Sequence, residues 1–192
     1  MEEYIKNNKL TLFLVFSAVL VGVTVGALGV LRLSDATASA LYSGLNSAVT
    51  DTGIFSAFLK SLQNEFKRFI IIFVCGITVI GSPVIVFHLG FCGYALGFSS
   101  AFLMKYYGLA GFLAVLGGIL PHYFLLLPTY IGMGIIGINF SNRLLRGERR
   151  LDRDFKTYIL KMILLSFLIL LSCIVEGFIS AMILKSMLKV II

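Results

Sequence analysis

Residues 10–31 read LTLFLVFSAVLVGVTVGALGVL, a run of 22 residues without a charged side chain. A helix needs about 20 apolar residues to cross the hydrocarbon core of a bilayer. The run is also longer than the apolar part of a cleavable signal peptide, which covers about 7–15 residues. We therefore expect a retained transmembrane helix near the start of the chain.

The composition of the whole chain agrees with this first segment. Of its 192 residues, 59% are hydrophobic and 13% are charged, and the mean hydropathy is +1.01. A soluble domain is about 25% charged, and no hydrophilic segment here is long enough for a separate domain of about 50 residues. The sequence predicts a single integral membrane domain over residues 1–192, with an all-α polytopic fold.

Further apolar runs predict about five transmembrane helices in total. Pro83 should kink the end of the second span, since proline cannot donate a backbone hydrogen bond, and a tight hairpin at His88–Gly90 should lead into the third. The stretch from Gly108 to Phe140 exceeds one span, and Pro121 should divide it. Its first part, residues 109–120, would be a Pro-broken or re-entrant half-helix, with a kinked pair of ordinary helices as the alternative. The expected bounds of the later spans are 69–87, 89–104, 123–140 and 158–184.

Small residues mark one face of the first span. Ala18, Gly22 and Gly26 recur every four residues, a spacing that lets two helices approach closely. We expect this face to pack against another helix of the same chain. A homo-oligomer formed through the same face is the alternative.

The polar stretch 34–68 separates the first two predicted spans. Its first half is small and polar, with turn signals near Gly44 and Gly53. In its second half, apolar residues recur at three- and four-residue spacing opposite polar ones, which predicts an amphipathic helix. That helix should lie in the membrane interface or form a docking surface for a partner helix. The residues of this predicted surface are Phe55, Phe58, Lys60, Leu62, Phe66, Lys67 and Arg68.

The stretch 141–157 is short and dense in positive charge. Beside a transmembrane helix, such a loop is typical of the cytoplasmic side and of contact with anionic lipids, rather than of nucleic-acid binding. The positive-inside rule then predicts a cytoplasmic N-terminus, with the stretch 34–68 and the C-terminus outside. The arginines of this loop are Arg143, Arg146, Arg149, Arg150 and Arg153.

His122 and Glu176 are ionisable residues inside apolar runs. Such a residue is costly at membrane depth unless it faces protein, water or a partner. As a pair, each would lower the cost of burying the other. Because the predicted spans hold no second acidic residue, a structural clip between the broken segment and the last helix is favoured over a proton or solute relay in a transporter.

Other kinds of chemistry have less support in the sequence. Ser82 and Ser99 belong to no nucleophile motif, and an intramembrane hydrolase would need one of them to form a dyad with His122. The three cysteines lie in apolar runs without metal-ligand or CxxC spacing, and they are Cys75, Cys92 and Cys173. We therefore expect neither a cofactor nor a metal site.

The segment GGILPHYFLLLPTYIGMG, residues 117–134, resembles the Pro-His…Pro segment of the stage II sporulation protein M family. A second similarity is an acidic residue followed by a small residue and a phenylalanine in the last span. Many relatives carry an acid two residues before the second proline, where this chain has Leu126. The resemblance covers most of residues 1–192. The matching residues are Pro121, His122, Pro128, Glu176, Gly177 and Phe178.

This resemblance implies a role in the engulfment machinery of endospore-forming bacteria. The protein would be a non-enzymatic scaffold at the septal membrane. It would recruit and anchor peptidoglycan-degrading partners, the stage II sporulation proteins P and D. Since some members of the wider family resemble parts of transport systems, the alternative is a transporter or channel component that uses His122 and Glu176.

Overall fold

Helices account for nearly all of the chain that the structure describes. The structure is a computed structural model and describes residues 9–51, 54–146 and 151–180. The predicted all-α fold is confirmed. In chain order the α-helices are α1 (Lys9–Leu31), α2 (Asp35–Asp51), α3 (Ile54–Ile77), α4 (Gly81–Ala114), α5 (Leu120–Leu145) and α6 (Leu151–Ile174). Two π-helical segments, Val115–Ile119 and Val175–Ser180, follow α4 and α6.

Three helical stretches among the described residues are long and apolar enough to cross a membrane. They are Lys9–Leu31, the 65-residue stretch Gly81–Leu145, and Phe155–Gly177. Helix α3 is not among them, because its middle carries several charged side chains. The predicted polytopic membrane architecture is thus supported by three candidate spans. Residues 181–184 of the last predicted span lie outside the described residues.

The chain reverses at Gly108, inside the longest of these stretches. Gly108 has φ 56° and ψ −127°, a conformation that side chains with a Cβ rarely adopt. Gly111 then lies on the backbone of Leu103, so closely that a Cβ would overlap the Leu103 carbonyl oxygen. The helical arms on either side of Gly108 run antiparallel, because Ser82 Oγ donates to Asn142 Oδ1 at 2.9 Å. Gly108 therefore forms the tip of a helical hairpin.

The predicted break at Pro121 is wrong. Pro121 is the second residue of α5 and lies two residues after the end of the first π-helical segment. The chain passes into α5 through the first π-helical segment without leaving the helical conformation. Pro128 lies inside α5 and does not end it.

The predicted hairpin at His88–Gly90 is also wrong. Helix α3 ends at Ile77, and α4 begins at Gly81 and continues unbroken through residues 88–90. Pro83 lies in the first turn of α4, where a proline loses no helical hydrogen bond and its fixed φ favours the helix. The turn fits only a glycine at position 81, since a Cβ there would overlap the carbonyl oxygen of Cys75.

The first half of the polar stretch 34–68 is helical rather than a series of turns. Helix α2 covers Gly44, which was expected to mark a turn, whereas Gly53 lies outside the described residues. The backbone N–H of Thr37 donates to Ser34 Oγ at 3.4 Å. A serine hydroxyl at this position stabilises a helix start by satisfying one of its free N–H groups.

Helices α1 and α4 run parallel in very close contact. A Cβ at Gly22 or Gly26 would overlap the carbonyl oxygens of Gly90 and Tyr94, respectively. Lys105 Nζ donates to the carbonyl oxygen of Val30 at 3.1 Å, near the ends of both helices. The prediction that the small-residue face of the first span packs within the chain is therefore confirmed.

The other helices complete a bundle whose two ends are distinct. Helix α3 runs parallel to α5 and antiparallel to α6, with Tyr158 Oη donating to the Phe73 carbonyl oxygen at 2.8 Å. We call the end that holds Lys9, the α3–α4 turn and Asn142 the first end. Gly108 and the end of α6 lie at the second end. The core between them includes Ile72, Ile85, Leu89, Tyr130, Met133 and Met162.

Candidate functional site

A polar stripe on α3 forms the centre of the candidate site. Ser61, Glu65 and Arg68 follow one another at spacings of four and three residues, so they share one face of the helix. Ser61 and Glu65 are buried, and that face meets α5 and α6. The stripe joins two clusters of hydrogen-bonded side chains.

The first cluster surrounds Glu65. Its side chain is 4% exposed, and Oε1 lies 2.8 Å from Arg68 Nη1. Tyr130 of α5 donates its hydroxyl to Oε2 of the same carboxylate. Arg68 is 27% exposed, so the ion pair lies at the edge of the core. Both carboxylate oxygens of Glu65 have a partner, as a buried charge requires.

The second cluster surrounds His122. Its Nε2 lies 3.5 Å from Glu176 Oε2, and Ser61 donates its hydroxyl to the same Glu176 oxygen. On the other side of the ring, Ser172 Oγ lies 2.9 Å from Nδ1 and donates to the His122 carbonyl oxygen at 3.1 Å. The His122 side chain is 5% exposed, whereas that of Glu176 is 41% exposed. The imidazole is therefore enclosed and the carboxylate is open on one side.

The two π-helical segments place the residues of this second cluster. His122 follows the first segment directly, and Glu176 is part of the second. The two segments pack against each other, and Gly177 lies on α3 at Phe58, where a Cβ would come within 2.7 Å of the Phe58 Cβ. A π-helical turn shifts the register of the side chains that follow it, and such turns occur often at functional sites.

Together the two clusters form one polar track, defined as Arg68, Glu65, Tyr130, Ser61, Glu176, His122 and Ser172. Ser61 and Glu65 are one helical turn apart, about 6 Å along the axis. In the part of the chain that the structure describes, no buried side-chain nitrogen or oxygen lacks a hydrogen-bond partner. The track can tie α3 to α5 and α6. The exposed side of Glu176 is the point at which the track opens out of the core.

The structure brings the predicted pair His122 and Glu176 together, and it adds an acid that the sequence analysis left out. Glu65 precedes the predicted second span, but it is buried in the bundle. The helical position of Glu65 could have indicated its burial. It lies three residues before Arg68 and on the same face as the buried Ile72. The prediction from the sequence covers acids only within the predicted spans, and Glu65 lies just before the second of them.

The predicted docking surface is divided between the two sides of α3. Phe55, Lys60, Phe66 and Lys67 are exposed. Phe58 and Leu62 instead pack against the core, and Arg68 turns towards Glu65. The reason is that α3 is a member of the bundle, so one of its faces is covered by α5 and α6.

The remaining predicted residues take no part in the polar track. Arg143 and Arg146 lie at the end of α5, at the first end of the bundle. Arg149 and Arg150 lie outside the described residues, as does the side chain of Arg153. Ser82 bonds to Asn142 at the first end, whereas His122 lies towards the second, so the structure does not form that dyad.

Comparison with known proteins gives one match, which covers most of the chain. The family model described as Stage II sporulation protein M matches residues 11–181. The chain belongs to the stage II sporulation protein M family. No curated protein and no solved structure matches it significantly. Membership of this family, which is not a known enzyme family, indicates a sporulation-related membrane protein.

Proposed function

We propose that this member of the stage II sporulation protein M family is a non-enzymatic scaffold of the engulfment machinery. It recruits peptidoglycan-degrading proteins, the stage II sporulation proteins P and D, and anchors them at the septal membrane. The family match over residues 11–181 supports the sporulation role. The observation that carries the scaffold role is the exposed outer face of α3.

This face combines large apolar side chains with positive charge. Phe55, Leu59 and Phe66 are exposed beside Lys60 and Lys67. Lipid tails solvate the aromatic side chains but not the ammonium groups, and water does the reverse. A protein partner that offers both apolar and acidic groups satisfies the whole face.

The polar track makes α3 a rigid support for such a partner. Its inner face is held by the bond from Tyr130 to Glu65 and by the bond from Ser61 to Glu176. A surface that is ordered before binding loses less conformational entropy when a partner docks. A scaffold benefits from this because it holds several partners in one geometry.

Affinity purification of the tagged full-length chain tests the proposal. The chain is isolated from membranes of cells entering sporulation, and the eluate is assayed for peptidoglycan hydrolysis and for its proteins. We expect a peptidoglycan-degrading protein to co-purify. An eluate that contains transport subunits and no such protein contradicts the scaffold role.

A transporter or channel component is the second candidate function. It is favoured by Glu65, which supplies a second acid to the buried track, and by the open side of Glu176. Replacing His122 by Gln would then abolish solute or proton flux in reconstituted vesicles while the fold is kept. A sporulation phenotype without any flux favours the scaffold.

A further inference from the structure

We propose that the outer face of α3 binds a transmembrane helix of a different protein, and that this helix carries carboxylates opposite Lys60 and Lys67. The inference rests on the proposed function in one respect, since it identifies the contact through which the scaffold would hold a partner inside the membrane. Three features of α3 support it. They are the spacing of its exposed side chains, their depth in the membrane and the sign of their charge.

The exposed residues of α3 form a regular seam. Lys60, Asn64, Lys67, Ile71 and Val74 are all exposed and follow one another at spacings of four, three, four and three residues. This alternation averages 3.5 residues, the period at which one helix keeps a constant stripe against another. We call these five residues the outer seam. Its period fits a neighbouring helix that runs along most of α3.

When the first end of the bundle lies at one surface of the hydrocarbon core, the length of α3 puts part of the outer seam at the depth of the bilayer centre. Lys67 precedes the end of α3 at Ile77 by ten residues, which corresponds to about 15 Å along the axis. Ile77 is at the first end of the bundle, level with the start of α4. The hydrocarbon core is about 30 Å thick, so Lys67 and Asn64 are near its middle.

Lipid tails do not solvate the ammonium group of Lys67 or the amide of Asn64. A lysine close to an interface can extend its ammonium group into the headgroups, but one at the centre cannot reach them without distorting the bilayer. The exposed amide of Asn64 also lacks hydrogen-bond partners in hydrocarbon. A protein helix that offers polar groups at the same depth removes both penalties.

The charges of the seam determine what kind of helix fits. Glu65 is the sole acid in α3, and it points inward to Arg68 and Tyr130. The outer seam is therefore positive, with its two cations seven residues apart. The partner helix should carry Asp or Glu at two positions of matching spacing, followed by apolar residues opposite Ile71 and Val74.

A second copy of this chain does not meet that requirement. Two copies related by a twofold axis along the membrane normal would place each seam residue against itself at the same depth. Lys67 would then face Lys67, and like charges repel strongly in a medium of low dielectric constant. The seam therefore favours a different protein.

Photocrosslinking within native membranes tests the inference. A photoreactive amino acid replaces Asn64 of the full-length chain, and a control chain carries it at Phe167, an exposed apolar position of α6. We expect a covalent adduct with another membrane protein from position 64 and none from position 167. The sequence of the captured protein should show acidic residues within its membrane helix.

Charge variants of the same probe chain supply the matched control. The double change K60E/K67E should lower the adduct yield about tenfold or more, because it replaces two charge pairs by repulsion. The change K60R/K67R should keep the adduct, and equal amounts of each chain in the membrane show that folding is retained. Adducts with lipid alone, with a second copy of this chain, or with a yield that K60E/K67E leaves unchanged would overturn the inference.

The outcomes distinguish a failure of this inference from a failure of the proposed function. Capture of a membrane protein that degrades no peptidoglycan keeps the inference and contradicts the scaffold for cell-wall hydrolases. Co-purification of such a hydrolase without any adduct from position 64 keeps the scaffold and overturns the inference.

Discussion

Glu65 binds two partners from different helices while its side chain is almost completely enclosed. Removing one member of a buried ion pair leaves the other charge without compensation, which costs more than the pair contributes. Arg68 is 27% exposed, so water offsets part of that cost. The ion pair lies within α3, and the bond from Tyr130 to the same carboxylate links α3 to α5.

The change Glu65→Ala should lower the free energy of unfolding by about 2–3 kcal/mol, because it leaves the Arg68 guanidinium half-buried and unpaired. Tyr130→Phe removes one hydrogen bond and should cost about 1 kcal/mol. Thermal unfolding in detergent measures both changes. Lys67→Ala, on the outer side of the same helix, is the control and should leave Tm nearly unchanged. A loss for Lys67→Ala as large as that for Glu65→Ala contradicts this account.

Glu176 should tolerate loss of its charge better than reversal of it. Glu176→Gln keeps an oxygen that accepts the Ser61 hydroxyl, so we expect a cost of about 1 kcal/mol. Glu176→Lys brings an ammonium group next to His122 and Ser61 and should reduce both expression and Tm further. Equal expression and equal Tm of the two variants would show that the pair contributes nothing to the fold.

The sequence singles out His122 and Glu176 because each is isolated in an apolar run. The same reasoning does not identify Glu65, because Asn64 and Lys67 are close to it in the sequence. The segment therefore resembles the polar face of an amphipathic helix. All of these side chains are polar, so periodicity alone does not tell which one turns inward. The contacts of Glu65 with Tyr130 of α5 and with Arg68 decide it.

At the scale of helices, glycine positions determine how closely α1 and α4 pack. Gly26→Ala should destabilise the bundle by about 1–3 kcal/mol, because the added Cβ meets the Tyr94 carbonyl oxygen, which belongs to the backbone and cannot move away. Gly29→Ala is the matched control in the same helix, since its Cβ would lie 3.4 Å from the Tyr94 hydroxyl. Thermal unfolding of both variants tests this, and equal values of Tm would contradict the close packing.

Gly108 should be just as sensitive, for a conformational reason. No atom lies within 4 Å of the position of a Cβ there, but the backbone has a positive φ. Gly108→Ala should therefore cost about 1–3 kcal/mol through backbone strain. Gly44→Ala, in an open position of α2, is the control and should be neutral or stabilising. A neutral Gly108→Ala would contradict the hairpin.

The helical character of the chain could be predicted from its apolar runs, but the ends of the helices and the presence of α2 could not. The sequence predicts a kink at Pro83 and a break at Pro121, whereas Pro83 lies in a first turn, where proline favours the helix, and Pro121 continues the helical path from the first π-helical segment. The true reversals depend on Gly81 and Gly108. A sequence with nineteen glycines does not show which of them adopt a special conformation.

For the whole molecule, the fold places the start of α1 and the end of α5 at the same end of the bundle. The positive-inside rule predicts that this end faces the cytoplasm. A membrane-impermeant thiol reagent should then label Ser34→Cys in intact cells and leave Arg146→Cys unlabelled until the cells are opened. The reverse pattern would place the start of α1 and the end of α5 outside.

The family and the membrane class could be predicted from the sequence, because the Pro-His…Pro segment and the apolar runs are local features. The polar track and the outer seam could not, since both depend on which face of α3 meets the bundle. Phe58 and Leu62 pack inward while Phe55 and Phe66 stay exposed. The scaffold role remains a prediction that depends on this outer face.

The most direct test of the scaffold is the amount of peptidoglycan-degrading activity that co-purifies with two charge variants of the full-length chain. K60R/K67R should retain the activity of the unchanged chain, and K60E/K67E should lose most of it at equal expression. Equal activity with both variants, or none with the unchanged chain, would contradict a scaffold that acts through α3.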